Sequence, residues 1–267
     1  MDTQPGTGTP PAGVPHDQPP RSRTGARTGP VVRPWSVASA LPPGATVTTP
    51  ARVWYARDVL VVARDLLGAY VTRRSPEGDV TVRVTEVEAY AGSEDPGSHA
   101  FRGRTARNGV MFAEPGRLYV YRHLGLHHCV NVVAQPTGSP AAVLLRAGEV
   151  VDGEDLAWER RERVGVVDSR RQLARGPARL AVCLGLDLQD NGADVTEPEG
   201  AVVVHRPGTT HAQHATGPRV GVSGTGGDAG RFPWRFWLQN EPTVSPYRPA
   251  YRSPAPADAP DGATASA

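Results

Sequence analysis

The chain has 267 residues, 39% of them hydrophobic, a formal charge of +2 and two cysteines. That length buries the core of one domain, and two thiols exclude both a disulfide scaffold and a four-thiolate zinc site. No apolar run reaches the length of a membrane span, so the reading is a cytoplasmic protein that contacts no membrane.

Residues 1–48 are rich in Pro, Gly, Thr and Ser and poor in large apolar side chains, so burial cannot offset the entropy of ordering them. Residues 249–267 share that bias, and both are expected as disordered tails around one domain at 49–248. The domain opens with Asp58, a good N-cap, followed by Leu60, Ala63, Leu66 and Leu67 at helical spacing, and Gly68 as a stop. Tyr70–Arg74, a turn at 75–79 and an alternating run Val80–Tyr90 predict a β-hairpin. Strands are predicted over Arg117–Tyr121 and Cys129–Val133, then a buried run Ala142–Glu149 and a helix near Glu154–Arg163. A further helix enters through Pro177, which a first turn tolerates, and its amino end suits a phosphate. Strands are predicted again at Ala201–His205 and Arg219–Val222, with a flexible loop over Gly224–Gly230 before the aromatic segment Phe232–Trp237.

Charge is clustered rather than large in total. From Phe101 to His128, Arg102, Arg104, Arg107, Arg117 and Arg122 stand against Glu114 alone, and from Trp158 to Arg179 seven arginines face three acids. Nucleic acid asks for such local basic faces, although a single charge run is more often a solvated surface. All 29 basic residues are arginine.

Period-two alternation places Val80, Val82, Val84, Glu86, Glu88 and Tyr90 on one strand face. Two carboxylates then continue an apolar face, which costs several kcal/mol unless they are paired. From spacing alone, an arginine pair and a functional base are equally good reasons for them.

The residues around that strand decide between the two. Thr85-Glu86-Val87-Glu88-Ala89-Tyr90 is followed by Asp95, Ser98 and His99, by Arg107-Asn108 and Met111-Phe112, and by Pro115-Gly116-Arg117-Leu118-Tyr119-Val120-Tyr121. Gly125, Cys129, Asn131, Val143-Leu144-Leu145-Arg146-Ala147, Gly176-Pro177, Leu180, Pro218-Arg219-Val220 and Pro233-Trp234-Arg235-Phe236 continue the series. This ordered set resembles the alkyladenine (3-methyladenine) DNA glycosylase family over nearly the whole body.

The resemblance implies a mixed α/β (α+β) fold, a single domain on a curved, open-barrel-like antiparallel β-sheet with peripheral helices and a DNA-inserting β-hairpin. It puts Glu88 at the catalytic carboxylate, activating the water that attacks the sugar, with Glu86 in support. Tyr90, His99 and Tyr121 would sandwich a purine flipped out of damaged double-stranded DNA, where cationic alkylated bases stack best. Asn131 would crowd the 2-amino group of guanine, and Arg146 would contact phosphate or sugar, the alternative being a buried partner for Glu86. Arg107, Arg122 and Arg179 are assigned to the DNA backbone. Leu124 stands where a family member carries an aromatic wedge, a departure that weakens stacking in the vacated gap but keeps an apolar plug. With no lysine to form a Schiff base, base excision without strand cleavage is expected, by a monomer that needs no cofactor.

Three rival readings remain. His123, His127, His128 and Cys129 would suit zinc if helical, but alternation around them argues strand and loop, so no metal is expected. A DNA or RNA binder without catalysis would lack the base or the pocket walls. A small-molecule enzyme on a related sheet would act on free nucleosides.

Overall fold

The computed structural model describes residues 46–208 and 213–250, so the tails expected at 1–48 and 249–267 lie almost entirely outside the described residues. After a short helix α1 (Arg52–Tyr55), the Asp58 carboxylate accepts the Leu60 and Val61 amides at 2.9 and 3.2 Å and starts helix α2 (Val59–Leu66). Such a cap contributes about 1 kcal/mol. Val59, Val62, Ala63 and Leu66 are buried, each branched side chain adding about 1.5–3 kcal/mol. Gly68, at φ +77°, then takes the left-handed turn that a side chain would resist.

Among the described residues, nine strands form one antiparallel sheet that does not close. They are β1 (Val47–Thr48), β2 (Tyr70–Arg73), β3 (Val80–Tyr90), β4 (Leu118–His123), β5 (His127–Ala134), β6 (Ala141–Asp152), β7 (Val202–Pro207), β8 (His214–Gly217) and β9 (Arg235–Leu238). The order β1-β7-β2-β3-β6-β5-β4 runs from edge to edge, and β9, carrying β8, joins on β3. The hairpin β2–β3, the strands β4, β5 and β6, and the helices α3 (Glu154–Glu162) and α4 (Pro177–Leu184) all lie where the residue pattern predicts them.

One strand breaks the predicted alternation, and the site depends on it. Val84 pairs with Gly148, Glu86 with Ala147 and Val87 with Leu145, so Thr85 on β3 and Arg146 on β6 are both passed over. One extra residue on each strand reverses the phase of that strand. Val80, Val82 and Val84 lie in the main core, but beyond the bulge Val87 and Ala89 take over that role. Glu86 and Glu88 therefore do not continue the valine face; they occupy the opposite one. The bulge is also where β3 exchanges neighbours, from β2 at 80–83 to β9 at 86–88. The hydroxyl of Thr85 finds that of Thr243 at 2.9 Å.

Two other expectations are corrected. Arg219–Val222 is not a strand: β8 takes that place against β9, while the Arg219 side chain is buried and Val220 N–H bonds a carboxylate instead of a neighbouring strand. The Trp158–Arg179 arginine cluster is partly internal, since Arg160 and Arg161 are buried, bonding Glu77 and the Leu173 carbonyl. The expected loop at 224–230 begins with a 3-10 turn over Gly224–Gly227.

Candidate active site

One face of the sheet supplies a continuous row. Tyr119 pairs with Asn131, Asn131 with Leu144, Leu144 with Glu88 and Glu88 with Arg235 across five strands. Above this row lies a cavity of about 450 Å³, lined by Glu88, Tyr90, His99, Tyr121, Asn131 and Arg146 among others. Six residues singled out from sequence, spread over nearly sixty positions, thus meet in one space.

Glu88 is completely buried. Its Oε2 accepts the Tyr90 hydroxyl at 2.8 Å, its Oε1 accepts Val220 N–H at 2.7 Å, and Arg146 Nη1 stands 3.2 Å from Oε1. A carboxylate has about four acceptor sites, so these three donors fix its plane and leave one on Oε2. Burial, then the charge of Glu88, raises the Tyr90 phenol far above its usual range and keeps it a donor. Burial opposes the charge on Arg146, but Glu88 and Glu86 outweigh it and hold the guanidinium ionised.

Glu86 is equally buried but enclosed. Its Oε1 accepts Arg146 Nε at 3.0 Å, Arg235 Nε at 2.6 Å and Ser245 Oγ at 3.0 Å, and its Oε2 accepts Ser245 N–H at 2.7 Å. Arg146 therefore pairs Glu86 as well as lining the cavity.

The aromatic walls are braced from behind. His99 and Tyr121 meet edge to face at 4.5 Å, and Tyr121 stacks on Tyr119 at 5.4 Å. His99 Nδ1 is 3.0 Å from the Tyr119 hydroxyl. Partial burial, then the charges of Arg107 and His123, lower the His99 imidazole to about 4, so it is neutral at pH 7. Asn131 donates Nδ2–H to the Tyr119 carbonyl at 3.0 Å, which leaves its amide oxygen as the available acceptor. Burial first of all raises the Cys129 thiol, and it stays protonated on the cavity wall.

Sequence reasoning gave no role to Arg219, the largest of the fully buried side chains among the described residues. It clamps Asp95 through two bonds of 2.5 and 2.7 Å, donates to the Ala89 carbonyl at 2.9 Å, and stacks 4.5 Å from the Tyr90 ring. A Cβ on Gly97 would come 2.5 Å from its Nη2, so only glycine fits there. Arg219 thereby holds Tyr90 and the neighbouring Val220 amide against Glu88. Its partner lies 124 residues away, and no local pattern signals it.

The residues assigned to the DNA do not line the cavity, but each stands near a residue that does. Leu124 is at the tip of the β4–β5 turn, 80% exposed and at φ +49°, with Leu126 also exposed. Arg122 is exposed beside it. Arg107, also exposed, stacks 5.2 Å from the Tyr121 ring. Arg179 lies on α4, bonded to Gln172 at 3.0 Å, and Pro177 at the start of that helix lines the cavity. The histidines of this hairpin sit on strands, His123 paired with His127. Among the described residues no group of three or more His, Cys, Asp or Glu is arranged for a metal ion, and no helix is long and apolar enough to cross a membrane.

The family model of methylpurine-DNA glycosylases matches residues 53–242. A provisionally named 3-methyladenine DNA glycosylase of Streptomyces avermitilis is 53% identical over 199 residues, covering 74% of this chain and 91% of its own. Similarly named proteins of Leifsonia xyli and Mycobacterium tuberculosis are 51% and 44% identical, covering 76% and 74% of this chain and 94% of each relative. The chain belongs to the methylpurine-DNA glycosylase family, DNA-repair enzymes that hydrolyse a glycosidic bond of DNA.

Proposed function

We propose that this protein excises alkylated and deaminated purines, of the 3-methyladenine, 7-methylguanine, hypoxanthine and ethenoadenine class, from duplex DNA by base flipping and hydrolysis alone. The observation that carries the reading is a fully buried carboxylate, Glu88, in the wall of an aromatic cavity. Its volume of about 450 Å³ lies within the range of small-ligand sites.

The acceptor site left on Glu88 Oε2 takes a water proton. The water oxygen bonds C1′ as the C1′–N9 bond breaks, the electron pair leaves with the base, and the proton passes to the carboxylate. The negative charge of Glu88 also opposes the positive charge that develops on the sugar. A cationic 7-methylguanine departs neutral, whereas hypoxanthine departs as an anion or needs a proton. Neutral His99, with Tyr90 and Tyr121, favours a cationic base, since stacking on electron-rich rings gains from its charge. With no lysine in the chain, strand cleavage through a Schiff base lacks its usual nucleophile.

The test is release of free base from duplexes carrying 7-methylguanine or hypoxanthine, with and without a chelator, scoring strand nicks separately. Release that survives the chelator, disappears in Glu88→Gln and leaves an intact abasic strand is expected. Retained release in Glu88→Gln would overturn the assigned base, and nicking by the intact protein would overturn the hydrolysis-only reading.

A further inference from the structure

Beside the base cavity lies a second recess of about 380 Å³, between the segment 96–102 and the turn at 223–226. Pro96, His99 and Ser223 line both spaces, so the two share a wall. Phe101 and Arg102 line only the recess. Phe101 is 44% exposed, an aromatic ring left to solvent although the core has space for larger groups such as Tyr55 and Tyr119; Arg102 beside it is exposed as well.

The recess is preformed on both sides. Asn108 Nδ2 donates to the His99 carbonyl at 2.9 Å and the Gly103 carbonyl at 3.0 Å, and Phe101 N–H reaches the Ser98 carbonyl at 3.2 Å. Opposite, Arg219 Nη2 donates to the Gly226 carbonyl at 2.7 Å. The two segments touch so closely that a Cβ on Gly226 would lie 2.3 Å from Gly97 N. A ligand entering this space meets a shape already fixed, which lowers the ordering cost of binding.

We infer that this recess is a second nucleotide subsite, which holds the nucleotide next to the lesion on the same strand, its base against Phe101 and its phosphate at Arg102. The inference rests on the base-flipping reading above. A flipped nucleotide stays covalently joined to its neighbours, so the strand must leave the cavity over its rim, and phosphates follow one another at about 3.4 Å of axial rise. Extrusion also removes the stacking partner of the adjacent base and leaves one of its faces bare. An exposed aromatic ring paired with an arginine is the combination that holds single-stranded nucleic acid without sequence preference. The pair belongs to the basic stretch from Phe101 to His128, in which Arg107 stacks on Tyr121, Arg122 is on the hairpin, Arg104 lies over Phe112 and Arg117 pairs with Glu114.

The full chain is tested by fluorescence anisotropy on duplexes holding 7-methylguanine or a stable abasic analogue, with base-less residues placed 5′ or 3′ of the lesion. Phe101→Ala is expected to weaken binding by about 5- to 150-fold, the range for loss of one base–aromatic stack. That penalty should vanish on the one substrate whose flanking base is already missing, and Arg102→Ala should reduce the salt dependence of binding by about one phosphate contact. Equal affinity of Phe101→Ala and parent within twofold, or a penalty unchanged by removal of either flanking base, would overturn the subsite. Base release by the parent is scored on the same duplexes. A parent that binds but releases no base refutes the glycosylase reading, while the affinities still decide the subsite.

Discussion

Glu86 and Glu88 stand two residues apart on one strand, both fully buried, yet their surroundings do opposite things. Around Glu86 two arginines and Ser245 close on the carboxylate, and it does not line the cavity. Around Glu88 the donors come from Tyr90, Val220 and Arg146, and the group faces the cavity. Burial of a carboxylate is therefore no sign of function; what its remaining lone pair faces is. The first cluster fastens β3, β6, β9 and the segment at Ser245 together, and Arg146, shared by both, transmits that rigidity to the second.

Neutralising each carboxylate without changing its shape separates the two roles. Glu88→Gln should lower single-turnover base release by about 10²- to 10⁴-fold, the usual contribution of a general base, while thermal unfolding shifts by the equivalent of less than about 1.5 kcal/mol. Glu86→Gln should do the reverse. The buried Arg235 guanidinium loses its counter-charge and Arg146 keeps only that of Glu88, which costs about 3–5 kcal/mol and lowers Tm by roughly 6–20 °C for a domain of this size. Below its own Tm that variant should still release base, slowed far less than Glu88→Gln. Calorimetry beside the release assay checks both halves, and a Glu86→Gln protein as stable as the parent would remove the structural role assigned to the cluster.

A smaller effect sharpens the cavity side. The neutral state of His99 is maintained down to about pH 4 by partial burial and then by Arg107 and His123. As pH falls through that value the imidazole gains a proton and repels a cationic purine, but not neutral hypoxanthine. Release of 7-methylguanine should therefore lose activity on an acid limb that hypoxanthine release lacks. Arg107→Gln removes one of the opposing charges, so the pKa moves up and the limb begins at higher pH. Each unit of that move lowers activity on its acid side about tenfold. Single-turnover pH profiles on the two lesions, with saturating enzyme, decide it; identical profiles would mean that His99 charge is not felt by the base.

Much of this was legible in the residues. The Asp58 cap, the hairpin, the proline-entered helix and the six cavity residues follow from spacing or from resemblance, because each rests on local chemistry or on an ordered motif. What escaped was nonlocal. Strict alternation put Glu86 and Glu88 on the valine face, and nothing near Thr85 marks the bulge that turns them away; it coincides with the exchange of β2 for β9 as a neighbour. Arg219–Val222 has the look of a strand, but its arginine is taken by Asp95 and its amide by Glu88. Arg160 and Arg161 count as surface charge in sequence and are buried in the fold.

Leu124 is the counterpart of Glu86, a residue that gives the fold nothing and is expected to matter only to DNA. It is 80% exposed and held at φ +49°, where a leucine is strained by about 1–2 kcal/mol and glycine is not. Leu124→Gly should therefore leave stability within about 1 kcal/mol of the parent, because relief of strain offsets the added freedom of the unfolded chain. Leu124→Ala keeps the strain and loses most of the side chain. If the leucine fills the gap that a flipped nucleotide leaves, both variants lose roughly 0.8 kcal/mol for each carbon no longer buried, a fall in flipping of about fourfold per carbon. A 2-aminopurine beside the lesion reports that step by its fluorescence on unstacking. Losses in the two variants that differ by no more than this one-carbon step, against unequal stabilities, would separate the wedge from the turn that presents it. Full flipping in Leu124→Ala would transfer the role to Leu126 or to Arg122 and His123 on the same hairpin.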